Sequence, residues 1–192
     1  REAAAPRAGL YRTTVGIVGA STIGTLVIEK LAASDVDVLL YDPYASPETA
    51  ERLNARLIAD LHELARRSQI LSIHAPETPA TLRMISRGVL AALPDGATLI
   101  NTARGSLVDQ DALISELESG RLRAILDVTD PDVLPPHHPL YTMPNVFLTP
   151  HLAGSMGAEL QRLGAAVLDE IRSCLSAEAG LGRTPPSGAS TA

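Results

Sequence analysis

The feature of this chain that most limits its fold is an alternation. Short runs rich in Val, Ile, Leu and Thr occur at Thr14–Val18, Val36–Tyr41, Ile70–His74, Thr98–Thr102, Ala124–Val128 and Val146–Thr149, with Arg56–Ile58 as a shorter addition. Between them lie stretches of helical character at Ile23–Ala33, Pro47–Asn54, Asp60–Arg67, Arg87–Ala92 and Asp109–Ser119. The runs are mostly apolar on both faces, as a strand covered on both sides requires. Strands that alternate with helices pair in parallel, and right-handed crossovers lay helices on both sides of the sheet. The expected fold class is α/β, a doubly wound parallel sheet with its site at the carboxyl ends of the strands. Asp60 and Asp109 stand where helix N-caps belong, with Glu63 at capping-box spacing from Asp60, and Gly120 stands where a C-cap glycine belongs.

Two segments break the rhythm. Asp130–Pro144 carries Pro131, Pro135, Pro136, Pro139 and Pro144 and reads as an ordered irregular loop. Ser155–Ser176 reads as one amphipathic helix, with Leu160, Leu163, Val167, Leu168 and Ile171 at helical spacing. The expected organisation is a linker over 1–13, a core domain over 14–154, a helix over 155–176 and a disordered tail over 177–192, whose end is Gly, Ser, Pro and Ala without core formers.

Charge and cysteine content exclude some function classes. Sixteen Lys plus Arg against 22 Asp plus Glu give a net charge of −6, which argues against a nucleic-acid partner or an anionic membrane surface. No apolar run approaches the roughly 18 residues of a membrane helix. Cys174 is the sole cysteine, so no internal disulfide forms, and a cytoplasmic location is expected. His137 and His138 lack an acid or cysteine at ligand spacing, and no metal site is expected.

The first strand runs into Gly16-Ile-Val-Gly19-Ala-Ser21-Thr22-Ile23-Gly24. A dinucleotide turn needs glycines for its tightness, for backbone approach to the pyrophosphate and for helix–strand packing. Gly19 and Gly24 hold the first and third places, and Ser21 holds the second, where a hydroxyl would stand near the phosphates. Asp42 ends the second strand, 18 residues after Gly24, where an acid accepts from the ribose hydroxyls and repels the extra phosphate of NADP. NAD is the expected cofactor. The same acid before Pro43 also suits turn chemistry.

Four downstream segments carry a family resemblance. Ser72-Ile-His74-Ala-Pro76-Glu-Thr78-Pro79, Ile100-Asn101-Thr102-Ala103-Arg104-Gly105-Ser-Leu-Val108-Asp109, Leu126-Asp127-Val128-Thr-Asp130-Pro131-Asp132 and Pro144-Asn145-Val-Phe-Leu-Thr149-Pro150-His151-Leu-Ala153-Gly154-Ser155 resemble, in order and spacing, the signatures of D-isomer specific 2-hydroxyacid dehydrogenases. The resemblance runs from about Thr14 to about Ser176 and implies a Rossmann-type NAD-binding domain. It implies hydride transfer between NAD(H) and a small 2-hydroxy or 2-keto acid. It also implies that most of a split substrate domain lies upstream, that the helix over 155–176 returns to that domain, and that the chain pairs as a homodimer.

The chemistry explains the residue types. Reduction of a 2-keto acid needs hydride at the carbonyl carbon and a proton at its oxygen. His151 is the expected proton donor. Arg104 is expected to grip the substrate carboxylate with its planar fork. The resemblance places the acid partner of the histidine at Asp132, where the family usually has glutamate. It gives Asp127 the nicotinamide carboxamide, and lets Ala75, Pro76, Thr102, Ala103 and Ala153 line the cofactor, mainly through backbone. Thr22 stands where the family usually has an arginine, and Ser21 replaces the middle glycine. With the substrate domain missing, this chain alone is expected to be inactive. The competing reading is a catalytically silent NAD(H)-binding module with a partner-binding role.

Overall fold

A computed structural model of the chain describes residues 9–181. Strands β1 (Thr14–Val18), β2 (Asp37–Tyr41), β3 (Arg56–Leu57), β4 (Ile70–Ile73), β5 (Thr98–Asn101), β6 (Arg123–Leu126) and β7 (Val146–Leu148) make one sheet in the order β3-β2-β1-β4-β5-β6-β7. Every pairing is parallel. The order reverses between β1 and β4, which opens a crevice at their carboxyl ends. Helices α1 (Thr22–Leu31), α2 (Pro47–Arg52), α3 (Leu61–Arg67), α4 (Arg87–Ala92) and α5 (Gln110–Glu118) fill the crossovers. The doubly wound α/β expectation holds, with element ends moved by a residue or two.

Each sheet face has its own core. On one, Leu71, Ile73, Leu99, Ala124 and Leu126 pack with Leu64, Leu90, Leu113 and Leu117 from α3, α4 and α5. On the other, Val15, Ile17 and Leu40 pack with Ile28 of α1 and with Ala50 and Leu53 of α2. The second face loses its cover toward β7. In β6, Ala124 and Leu126 are buried while Arg123 and Ile125 are exposed, and the pairing Ile125↔Phe147 continues that row to a Phe147 that is 64% exposed. β6 itself is therefore covered on one face, a distinction that hydropathy alone does not make.

Local signals explain the helix starts. Asp60 accepts from the N–H of His62 and of Glu63, each at 3.1 Å, and Asp109 accepts from that of Ala112 at 3.1 Å. The reciprocal arm of the capping box is replaced, because Glu63 pairs with Arg67 at 2.9 Å one turn on. Gly120 has φ +75, the left-handed turn that ends α5. The loop after β6 is ordered as expected and includes a 3-10 turn at Pro139–Tyr141.

The chain divides into two compact units after His151. The second holds α6 (Glu159–Leu181), which begins later and ends later than the expected Ser155–Ser176. Gly157, with φ +57, keeps the preceding turn out of the helix, and Ala177-Glu178-Ala179 are strong helix formers that carry it past Ser176. Residues 177–181 are thus helical rather than part of a tail. The remainder of the expected tail, and residues 1–8 of the expected linker, lie outside the described residues. No helix among the described residues is long and apolar enough to cross a membrane.

Candidate active site

The turn after β1 is built by exclusion. Gly19 has φ +99, and a Cβ there would meet the backbone of His74 and Ala75 at 2.8–2.9 Å, so only glycine lets β1 close against the end of β4. A Cβ on Gly24 would run into the Gly19 carbonyl, so α1 packs on the turn without a side chain between them. Ser21 is the N-cap of α1. Its Oγ accepts from the Gly24 N–H at 3.2 Å and donates to the His74 carbonyl at 2.8 Å. The hydroxyl hydrogen expected to stand near the phosphates is thus used inside the turn. Thr22 and Ile23 are exposed at the open helix end.

Asp42 is half-buried at the end of β2 and spans two turns. Its Oδ2 accepts from the Ala20 N–H at 2.7 Å and its Oδ1 from that of Tyr44 at 2.8 Å. The expected ribose acid and the expected turn acid are therefore one residue, and each oxygen keeps a second lone pair. Beyond β4, His74 and Ala75 are buried and Pro76 is exposed. The His74 Nε2 bonds the Ser72 hydroxyl at 2.9 Å, and burial holds this imidazole below the usual histidine pKa.

Arg104 stands beyond β5 on a braced loop. The buried Asn101 donates from Nδ2 to the Arg104 carbonyl at 2.8 Å and accepts the Ala103 N–H at 3.0 Å. Thr102 and Ala103 are half-buried beside it. A Cβ on Gly105 would meet the Thr129 carbonyl, so glycine there lets this loop pass against the one after β6. The Arg104 guanidinium is exposed and folds back to give Nη1 to the Ala103 carbonyl at 2.6 Å.

Beyond β6, Asp127 is 4% exposed and takes the Thr149 hydroxyl on Oδ1 at 2.5 Å. The His151 N–H donates to the Asp127 carbonyl at 3.0 Å, and His151 has φ +57, which turns the chain out of β7. Asp127, Asp132, Thr149 and His151 line one pocket of about 720 Å³ with Leu134, Tyr141 and Phe147. The structure brings Asp132 and His151 to this pocket without pairing them, because no ion pair joins them within 4.0 Å. The Thr129 hydroxyl instead holds the backbone of this loop, donating to the Pro131 carbonyl at 2.8 Å with the Asp132 carbonyl at 3.2 Å. Arg104 is not among the residues lining this pocket, and Ala153 lies in the second unit. No group of three or more His, Cys, Asp and Glu among the described residues is placed to hold a metal ion. Asn101 and Thr149 had no assigned role in the sequence, and their signal is a polar residue ending or following an otherwise apolar strand.

A family model described as "D-isomer specific 2-hydroxyacid dehydrogenase, NAD binding domain" matches residues 1–153. The chain belongs to this family. It is 35% identical over 170 residues to D-3-phosphoglycerate dehydrogenase of Methanocaldococcus jannaschii, covering 88% of this chain and 32% of that one. It is 36% identical over 166 residues to glyoxylate reductase of Thermofilum pendens, covering 86% and 49%. Among solved structures it is similar to the apo form of Rhodotorula graminis D-mandelate dehydrogenase, with TM-score 0.69 at 35% identity over 76% of this chain and 43% of that one. The chain thus spans from about 32% to 49% of the length of these relatives. The residues present fit the family's cofactor. Gly19 and Gly24 leave no Cβ where the turn meets the end of β4 and packs under α1, Thr22 and Ile23 are exposed at the α1 N-terminus, and Asp42 stands one strand away with a second lone pair on each oxygen.

Proposed function

We propose that the chain is the NAD-dependent oxidoreductase domain of a D-2-hydroxyacid dehydrogenase that interconverts a small 2-hydroxy acid and its 2-keto acid. The observation that carries this reading is the joint placement of Arg104, Asp127 and His151 at the carboxyl ends of β5, β6 and β7, in the sheet whose β1 turn closes on Gly19 and Gly24. NAD(H), when bound, supplies or accepts the hydride at the substrate carbon. Gly19, Ser21, Thr22, Ile23 and Gly24 would hold its pyrophosphate through the turn backbone, and Asp42 the adenosine ribose. Ala75, Pro76, Thr102 and Ala103 would line its path, with Asp127 at the carboxamide. Arg104 binds the substrate carboxylate and polarises the keto oxygen. His151 holds the proton that passes to that oxygen, with Asp132 as the carboxylate sharing its pocket. Asp42 favours NAD over NADP by like charge against the 2′-phosphate.

The exposed row at Ile125 and Phe147 supports pairing as a homodimer, and the sole, exposed Cys174 suits a cytoplasmic setting. The lack of an Asp132–His151 ion pair favours a second reading, an NAD(H)-binding module without turnover.

Titrating the chain with NADH by fluorescence, then following NADH oxidation with glyoxylate, pyruvate and hydroxypyruvate, tests the proposal. Saturable NADH binding is expected, and because hydride transfer needs a dry, closed cleft, turnover of a 2-keto acid would separate the oxidoreductase from the silent module. Failure to bind NADH would overturn the assignment.

A further inference from the structure

We propose that Glu77 is a positioning residue for Arg104, holding its guanidinium until a substrate carboxylate displaces it. This rests on the reading of Arg104 as the substrate-carboxylate group.

Glu77 is exposed, yet the turn around it and one of its carboxylate oxygens are held by hydrogen bonds. The turn that carries it is closed by Thr81, whose Oγ1 donates to the Pro76 carbonyl at 2.7 Å and accepts the Thr78 N–H at 2.9 Å. The chain that follows is stitched to the Arg104 loop. The Arg83 N–H donates to the Ser106 carbonyl at 2.8 Å, and that of Ile85 to the Leu107 carbonyl at 3.0 Å. This stitching brings the Ser106 hydroxyl to Glu77, where it donates to Oε1 at 2.8 Å. The other oxygen, Oε2, then lies 3.9 Å from the Arg104 Nε.

Arg104 thus has two internal partners, its Ala103 carbonyl on Nη1 and Glu77 near Nε. Neither contact is the fork-to-fork pair that a guanidinium makes with a carboxylate. An α-keto carboxylate can make that pair and so displaces Glu77 on geometry. It must do so against the negative charge of Glu77, which remains anchored by Ser106. Glu77 therefore keeps an unliganded Arg104 retracted and raises the concentration of 2-keto acid needed to engage it.

The test follows modification of Arg104 by phenylglyoxal in the intact chain, by peptide mass spectrometry, with exposed Arg87 as internal reference and oxalate as the carboxylate probe. A carboxylate against the guanidinium shields it from the reagent. Glu77→Gln preserves shape and removes charge, and it should speed Arg104 modification roughly two- to five-fold, the range of an exposed ion pair. Ser106→Ala should act in the same direction and less, and Arg87 should not respond. Added salt should speed the wild-type reaction toward the Glu77→Gln rate while leaving that variant's rate unchanged. Oxalate should protect Arg104 at lower concentration in Glu77→Gln. Equal modification rates in wild type and Glu77→Gln, with oxalate protection intact, would overturn the role of Glu77. Loss of oxalate protection in every variant would instead overturn the assignment of Arg104 to substrate.

Discussion

The Ala20 N–H donates to Oδ2 of Asp42 at 2.7 Å, tying the turn after β1 to the end of β2. The acid expected to read the cofactor ribose thus also shapes the turn expected to read the pyrophosphate. Wild type should bind NADH over NADPH by on the order of 1–3 kcal/mol through like-charge repulsion of the 2′-phosphate. Asp42→Ala should erase that preference and lower the affinity for both cofactors, since two backbone N–H groups lose their acceptor. Fluorescence titration with both cofactors measures this. Equal NADH and NADPH affinity in the wild type would remove Asp42 from the ribose.

Ser21 tests the turn in a second way. Its hydroxyl caps α1 and bridges to the His74 carbonyl, so Ser21→Ala should cost about 0.5–2 kcal/mol of stability in urea unfolding. Ser21→Gly restores the glycine usual in such turns, and should cost only a few tenths. Ser21→Gly should hold or raise NADH affinity, while Ser21→Ala lowers it. If Ser21→Ala matched wild type in both measurements, the hydroxyl would have no part in shaping the turn.

The sequence made legible whatever is written in local period and in residue type. The strand runs, the Asp60 and Asp109 caps and the Gly120 stop are each decided within a few residues, and each is found. The turn glycines are legible from their spacing alone, and of the pair only Gly24 avoids backbone of its own turn, because Gly19 avoids the distant His74 and Ala75. Contacts across the fold are not written locally. That the Ser21 proton goes to His74 depends on where β4 ends, and that Glu63 prefers Arg67 to its own cap depends on competition within α3. The uncovered row at Ile125 and Phe147 was hidden because hydropathy reports which residues prefer burial and not which helices arrive to bury them. The spacing of Asp132 and His151 is set by an irregular Pro-rich loop, whose path no periodicity describes.

His74 predicts a pH dependence of folding. Burial lowers its folded-state pKa below the ordinary 6.5. The unfolded state therefore binds more protons in the window between the two values, and stability rises with pH there. Stability should be full above the unfolded value and fall as pH drops from about 6.5 toward the folded value. His62, His137 and His151 are exposed, so the difference between wild type and His74→Gln isolates the buried group. Urea unfolding at pH 7.5 and 5.5 measures it. His74→Gln should lose less stability on acidification than wild type, and an equal loss would show that His74 is not the titrating residue.

Thr149 gives the sharpest separation of structure from cofactor chemistry. Its hydroxyl donates to Oδ1 of a buried Asp127, and the Asp127 carbonyl receives the His151 N–H, so one side chain orders the carboxylate on the chain that also sets His151. Thr149→Val keeps the β-branched shape just beyond β7 and removes only the donor. Leaving a buried carboxylate short of a hydrogen bond costs about 1–3 kcal/mol, so Thr149→Val should be destabilised by that amount. Thr149→Ser keeps the donor and should lose little. The cofactor readout distinguishes a further role. If Asp127 holds the nicotinamide carboxamide, Thr149→Val should weaken NADH binding while leaving ADP-ribose binding nearly unchanged, because ADP-ribose lacks the nicotinamide ring and keeps the groups that Asp42 and the β1 turn read. A parallel loss for NADH and ADP-ribose would mean the substitution damages the fold generally. Unchanged affinity for both, with stability lowered, would confine the Thr149–Asp127 contact to holding the β6 and β7 strand ends together.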